Sequence, residues 1–195
     1  MKFLSKNPNS AILQEGLTYK KGNAENNSLL KDKLKEEQKN FCAYTEKYLQ
    51  PLESVEIEHF NPSIKYKDDY FNYYAVIRRA NLYKKDEKFR NASFFETKFF
   101  QKKDDFNSRI KFKENIYYNV VESDTESIDF IEFLGLNHHD LYSQREKHVN
   151  RLLENFEKAR FDKTQQFEYF REHLEELSFI TAIEDKLGLN LETIL

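Results

Sequence analysis

The sequence predicts an α+β fold that is mostly helical, with a central strand-loop-strand-helix unit, one further small β-hairpin and a pair of helices at the C-terminus. Three observations predict it. Between Val55 and Lys85, apolar residues alternate with polar ones and then give way to a helical composition. Residues 109–120 hold two short β-favouring runs around Lys113-Glu114-Asn115. Beyond Ser127, apolar residues recur every three or four positions almost to the end of the chain.

Residues 1–27 contain Asn7-Pro8-Asn9-Ser10, Gly16, Gly22 and Asn26-Asn27 with little periodicity, and read as an extended arm available to dock on the domain or on a partner. Ser28 is placed to cap a helix whose Leu29, Leu30, Leu34 and Phe41 form an apolar stripe. Val55, Ile57 and His59 then alternate with Glu56 and Glu58, so a short strand delivers His59 at its tip. Asn61-Pro62-Ser63 breaks that strand, and a Lys/Asp-rich loop leads to residues 71–77, whose aromatic and β-branched content favours a second strand. Helical composition begins near Arg79 and continues to Lys88. After the hairpin, Ser127 opens a short helix through Ile128, Ile131 and Leu134, closed by Gly135. Leu141, Val149, Leu152, Leu153, Phe156 and Ala159 share one helix face, and Phe167, Phe170, Leu174, Leu177, Ile180 and Ile183 another. The expected division is an arm at 1–27, a core with a basic segment at 28–113, and an acidic, mainly helical lobe at 114–195.

Composition narrows the class. The chain has 195 residues, enough for a domain with a substantial core. With 18 Phe, 12 Tyr and no Trp, that core must be built largely from rings. A single Cys excludes an internal disulfide framework. No apolar run approaches the ~18 residues of a membrane span, and the opening MKFLSKNPNS is too short and polar for a signal peptide, so cytoplasm is the expected compartment. The net charge of −3 hides an asymmetry: residues 1–113 carry 23 Lys/Arg against 16 Asp/Glu, and residues 114–195 carry 8 against 18. The positive excess lies between Arg78 and Lys113, where 12 basic residues are interleaved with Phe89, Phe94, Phe95, Phe99, Phe100 and Phe106. Such a stretch suits a phosphate-backbone track; it also suits a solvated surface over an aromatic core.

Glu58-His59, Asn72 thirteen residues after the histidine, and Asn81 nine residues further on resemble the ββα-metal motif of HNH endonucleases. The wider likeness is to the stand-alone HNH nuclease subunits of Septu-type bacterial anti-phage systems. It is carried by Gln38, Cys42-Ala43-Tyr44-Thr45-Glu46, Glu58-His59-Phe60, Asn72-Tyr73, Asn81, Leu134-Gly135-Leu136-Asn137 and Arg145, covering roughly residues 29–145. Where such relatives carry four zinc-binding cysteines, this chain aligns Cys42, Thr45, Ile77 and Ala80. Three of those positions cannot ligate, so no structural zinc is expected. Packing of Phe41, Tyr44 and Ile77 is expected to replace it, with Cys42 as a small buried hydrophobe.

Hydrolysing a phosphodiester needs a base to deprotonate water and a cation to neutralise charge on the phosphate and the leaving oxygen. His59 is the one motif side chain that accepts a proton near neutral pH, which makes it the candidate general base. The resemblance implies that Glu58 and the Asn81 oxygen ligate Mg²⁺ or Mn²⁺. That requires the strand to end or twist at Glu58, because neighbours on a regular strand face opposite sides. Asn72 is expected to bond within the loop and hold His59 in position. Arg78, Arg79, Lys84 and Lys85 are the candidate nucleic-acid contacts. His138 and His139 read as a helix boundary, and His148 and His173 as exposed helix residues. Nothing resembles a base-reading element, so sequence preference should be low.

Two functions stay open. One is a metal-dependent HNH endonuclease acting on DNA, implied by the resemblance to be a defence effector governed by a partner ATPase that docks on the acidic helices or the arm. The other is a non-catalytic descendant that kept the fold to bind nucleic acid or a partner.

Overall fold

The computed structural model describes residues 1–65 and 67–195. The arm is docked on the rest of the chain: Leu4 and Ile12 are sealed in the core, and Ser10 caps a single helical turn, α1 (Ala11–Gln14). Helix α2 (Ala24–Glu37) starts earlier than Ser28, because the Asn23 side chain accepts from Asn26 N at 3.0 Å and caps it. Its buried face carries Leu30 and Leu34. Gln38 follows, and its buried carboxamide does the work of a neighbouring strand. Oε1 accepts from Ala75 N, and Nε2 donates to the carbonyls of Ala75 and Phe41, each at 2.8 Å.

Those bonds fix the central hairpin. Strand β1 (Val55–His59) pairs antiparallel with β2 (Tyr73–Ile77), from Val55 opposite Ile77 to His59 opposite Tyr73. Gln38 and Ala43 N, which donates to Ala75 O at 3.2 Å, close the other edge of β2. Helix α3 (Arg78–Asn81) is one turn, shorter than the composition to Lys88 suggests. Lys85 N donates instead to Phe133 O at 2.8 Å. Gly135, at φ +59°, lies against Tyr83, where an added Cβ would sit 2.9 Å from both the Tyr83 Cβ and carbonyl oxygen. Partners distant in the sequence thus displace the next helical turn.

Two short helices, α4 (Phe94–Thr97) and α5 (Lys103–Arg109), lead to the expected hairpin of β3 (Ile110–Lys113) and β4 (Ile116–Asn119). Glu114 and Asn115 have φ of 51° and 70°, the positive pair that a tight two-residue turn requires. Helix α6 (Thr125–Phe133) is capped by Asp124, three residues ahead of Ser127. Asn137 then clasps Tyr117, accepting from its N at 2.9 Å and donating to its O at 2.7 Å.

Helix α7 (His139–Ala159) buries Leu141, Val149, Leu152 and Phe156 but leaves Ala159 exposed. The expected second long helix is divided into α8 (Lys163–Glu172) and α9 (Ile180–Leu187), with left-handed Phe179 (φ 63°) before α9. Glu46 accounts for the break. Its carbonyl accepts from Phe179 N at 2.8 Å, and its carboxylate accepts from Thr181 N at 2.7 Å and Thr181 Oγ1 at 2.8 Å, placing negative charge at the start of α9.

One core runs from Phe3 to Leu191, across the expected divisions after 27 and 113. Phe89, Phe94, Phe99, Phe100 and Phe106 are buried in it, so the aromatics of the basic stretch are packing residues and not a surface platform. Phe60, next to His59, is wedged among them, 4.3 Å from the Phe100 ring and 5.3 Å from that of Phe133. Among the described residues, no helix is long and apolar enough to cross a membrane.

Candidate functional site

His59 closes β1 and pairs with Tyr73, and cross-strand partners share a face of the sheet. The His59 ring is held edge to face by Tyr73 at 5.4 Å and by Tyr19 at 4.9 Å. Its Nδ1 lies 2.5 Å from Asp68 Oδ2. Asp68 also accepts from Asn72 Nδ2 at 2.8 Å and from the Tyr73 hydroxyl at 3.0 Å. The Asn72 amide ties the loop to the strand end, accepting from Asn61 N at 2.8 Å and donating to Asn61 O at 3.1 Å. Burial pushes the Tyr73 phenol well above its ordinary value, with Asp68 adding to the effect, so it remains a donor at any ordinary pH.

Proton positions follow from this chain of bonds. An ionised carboxylate only accepts, so Nδ1 carries a proton, and in the neutral imidazole Nε2 is left as the acceptor. The His59 side chain is 17% exposed and that of Asp68 is 3% exposed. The imidazole lines a cleft of about 560 Å³ with Thr18, Tyr19, Lys21, Ile57, Lys65, Asp68 and Tyr73. The arrangement is an imidazole whose tautomer and direction are set by a buried acid, as a general base would require.

The expectation for Asn72 is met in position, with Asp68 as the link. Sequence reasoning missed Asp68 because Lys67-Asp68-Asp69 reads as a solvated loop. The available signal was that few acidic residues lie between the two strands to serve the histidine.

The opposite face of β1 is built differently. Strand β1 stays regular through His59, so Glu58 points away from the imidazole. Its carboxylate is salt-bridged to Lys84 Nζ, which also donates to His59 O at 3.0 Å and lies 2.9 Å from Asp86 Oδ1. The Lys84 side chain is 1% exposed, so it is an internal cation and not the phosphate contact expected of it. Burial raises the Glu58 carboxyl above its ordinary value; Lys84 opposes the shift and Asp86 adds to it. The buried Tyr44 hydroxyl has no hydrogen-bond partner among the described residues. Asn81 donates from Nδ2 to Glu56 Oε2 at 3.2 Å, two residues before Glu58 on the same face of β1.

Glu58 is engaged by the Lys84 ammonium, so it could ligate Mg²⁺ or Mn²⁺ only once released, and Asn81 meets Glu56 through its amide nitrogen and not through the oxygen expected to ligate. Among the described residues, no group of three or more His, Cys, Asp or Glu is arranged to hold a metal ion.

The other expected nucleic-acid contacts are surface cations with internal partners. Arg78 lies 3.5 Å from Glu56, and Arg79 lies 3.0 Å from Asp140. Lys85 and Lys88 share Glu132 at 2.9 and 2.5 Å. Exposed pairs of this kind are weak, and a phosphate can compete for the cation. His138 caps α7, and His173 is exposed as expected. His148 differs from expectation: it is half-buried, with Nε2 2.9 Å from Glu176 O, and burial pushes its pKa down.

Cys42, Thr45, Ile77 and Ala80 lie close together. Ile77 N donates to the buried Cys42 thiol at 3.4 Å, and Thr45, Ile77 and Ala80 line one cavity of about 210 Å³ with Tyr83 and Phe179. Burial raises the Cys42 pKa, and hydrogen bonds from Thr45 and Ile77 pull it the other way. Family models, curated proteins and solved structures were compared with the chain, and none matches it.

Proposed function

We propose that this chain is an HNH-type endonuclease that hydrolyses DNA phosphodiesters with little sequence preference, using His59 as the general base. The observation that carries the reading is the His59–Asp68 contact of 2.5 Å at the end of β1, with the imidazole open to a cleft. A water held at Nε2 would lose a proton to the imidazole as its oxygen attacks phosphorus. The P–O3′ bond would break, and the departing oxygen would take a proton from solvent, leaving a 5′-phosphate. Asp68 would stabilise the imidazolium that forms. The Glu58-His59, Asn72 and Asn81 spacing and the meeting of positions 42, 45, 77 and 80 support the same reading.

The divalent ion belongs to the proposal as a requirement to test, since Lys84 would have to release Glu58 before that carboxylate could ligate. The role of defence effector, with a partner ATPase docked on the acidic helices or the arm in the cytoplasm, rests on the resemblance. The alternative, a non-catalytic nucleic-acid- or partner-binding subunit, is favoured by the internal engagement of Glu58 by Lys84 and of Asn81 by Glu56.

Plasmid cleavage with Mg²⁺ or Mn²⁺, with the chain alone and with its candidate partner, separates the two. Cleavage by the wild type that is lost in His59→Ala supports the enzyme. Equal cleavage by both removes His59 from the mechanism, and DNA binding without cleavage supports the alternative.

A further inference from the structure

The cleft at His59 is only half made by the hairpin. Its other wall is the arm, through Thr18, Tyr19 and Lys21. That segment is held by backbone and side-chain bonds that do not use the Tyr19 ring. Tyr19 N donates to the Tyr73 hydroxyl at 3.2 Å, Asn26 Nδ2 donates to Thr18 O at 2.8 Å, and Asn27 brackets Lys20 at 2.9 and 2.8 Å. The ring is thus fixed beside the imidazole while remaining 40% exposed.

The cation of this wall differs from those on and just after α3. Among the described residues Lys21 has no acidic partner, whereas Arg78, Arg79, Lys85 and Lys88 each have one. Asp68, the one acid lining the cleft, is occupied by three donors. A fixed aromatic, an unpaired ammonium and a base within one cleft match the parts of a nucleotide: a planar ring to stack on, a phosphate to neutralise and a bond to cut.

We infer that the arm is part of the substrate site, with Tyr19 stacking an unpaired base and Lys21 holding an adjacent phosphate, so that the substrate is single-stranded or locally melted DNA. In a duplex both faces of each base are covered by its neighbours, and the Tyr19 ring gains nothing. The inference rests on the nuclease reading, because it takes His59 to mark the scissile phosphate.

The test uses the full chain carrying His59→Asn, whose amide keeps a donor for Asp68, and two fluorescein-labelled DNAs of one sequence, a single strand and a hairpin duplex. Anisotropy should show the single strand bound at least about tenfold more tightly. Adding Tyr19→Ala should weaken single-strand binding about tenfold and leave duplex binding unchanged, while Tyr19→Trp should retain it. Tyr19→Leu keeps the bulk without the π face and should behave as Tyr19→Ala. DNA binding that is indifferent to strandedness and to Tyr19 overturns this inference and spares the nuclease reading. Binding of neither DNA overturns both.

Discussion

The two faces of β1 carry adjacent residues of one motif, yet they use acid and base in opposite ways. On the open face, His59 is held by Asp68 and presents a free nitrogen to a cleft. On the sealed face, Glu58 is held by Lys84 against the phenylalanine core, with the ammonium 5.3 Å from the Phe133 ring centre. A carboxylate that orients a partner lining a solvent-filled cleft tunes chemistry. One that neutralises a partner sealed from water maintains the fold. If the comparison is right, substitutions on the open face should change rates, and those on the sealed face should change stability.

The largest effect should come from the acid behind the base. Asp68→Asn offers an amide in place of a charge that fixes the Nδ1–H tautomer, and cleavage should fall about 10²- to 10⁴-fold, the usual worth of a positioned base. Asp68→Glu should recover part of the loss, and the pH–rate profile of Asp68→Asn should move, which lost packing alone would not cause. Thermal melting should shift little. A variant with wild-type rates would mean that Asp68 serves the loop and not the reaction.

Next in size is Lys84→Met, which strands a buried carboxylate and should destabilise by about 3–5 kcal/mol. Glu58 already has a raised pKa from burial, so it contributes most below its unfolded value and the contribution is lost as pH rises. Lys84→Met should raise it further. The stability gap to wild type should therefore be widest at neutral pH and narrow below about pH 4.5. The double variant Lys84→Met/Glu58→Gln should recover much of the loss in a urea titration. If Lys84→Met instead left stability unchanged, the sealed face would not be held by this pair.

Much of the open face was legible in the sequence, and little of the sealed one. Alternation through Val55, Ile57 and His59 located the strand and its tip, and the resemblance to the HNH motif pointed to Asn72 as the loop contact. Lys84 was not legible, because a Lys84-Lys85 pair reads as surface until Phe133 and Gly135 are seen to turn the chain inward. The arm lacked any periodicity to read, since side-chain hydrogen bonds and the buried Phe3, Leu4, Ser10 and Ile12 hold it and not a repeating pattern. The break before α9 was hidden for a similar reason. Phe167 to Ile183 keep a helical spacing, and only Glu46, more than a hundred residues earlier, shows why the helix restarts at Ile180.

A smaller effect tests a second, half-buried cation behind the hairpin. Lys6 is bonded to Tyr73 O and lies 4.4 and 3.9 Å from the ring centres of Tyr70 and Tyr74. Burial pushes it down to about 7, against the pull of Glu37 and Asp69. The folded chain then releases its proton before the unfolded chain does, so stability should rise with pH from about 7 toward 9. The slope should be about 1 kcal/mol per pH unit or less, since ring faces favour the charged form. Lys6→Met should remove that rise in urea midpoints measured at pH 7, 8 and 9. Parallel curves for the two proteins would place the proton elsewhere.

The smallest effect distinguishes a cleft cation without an acidic partner from the paired cations of α3. A lysine that releases a counterion on binding phosphate contributes about one to the slope of log affinity against log salt. Lys21 has no acid to leave, whereas Arg79 must give up Asp140 at 3.0 Å and Tyr83 at 3.0 Å to reach a phosphate. With single-stranded DNA, Lys21→Gln should therefore lower the slope by about one, and Arg79→Gln should lower it by less. The reverse order would transfer the phosphate track to the exposed arginines of α3 and leave the cleft without its anion contact.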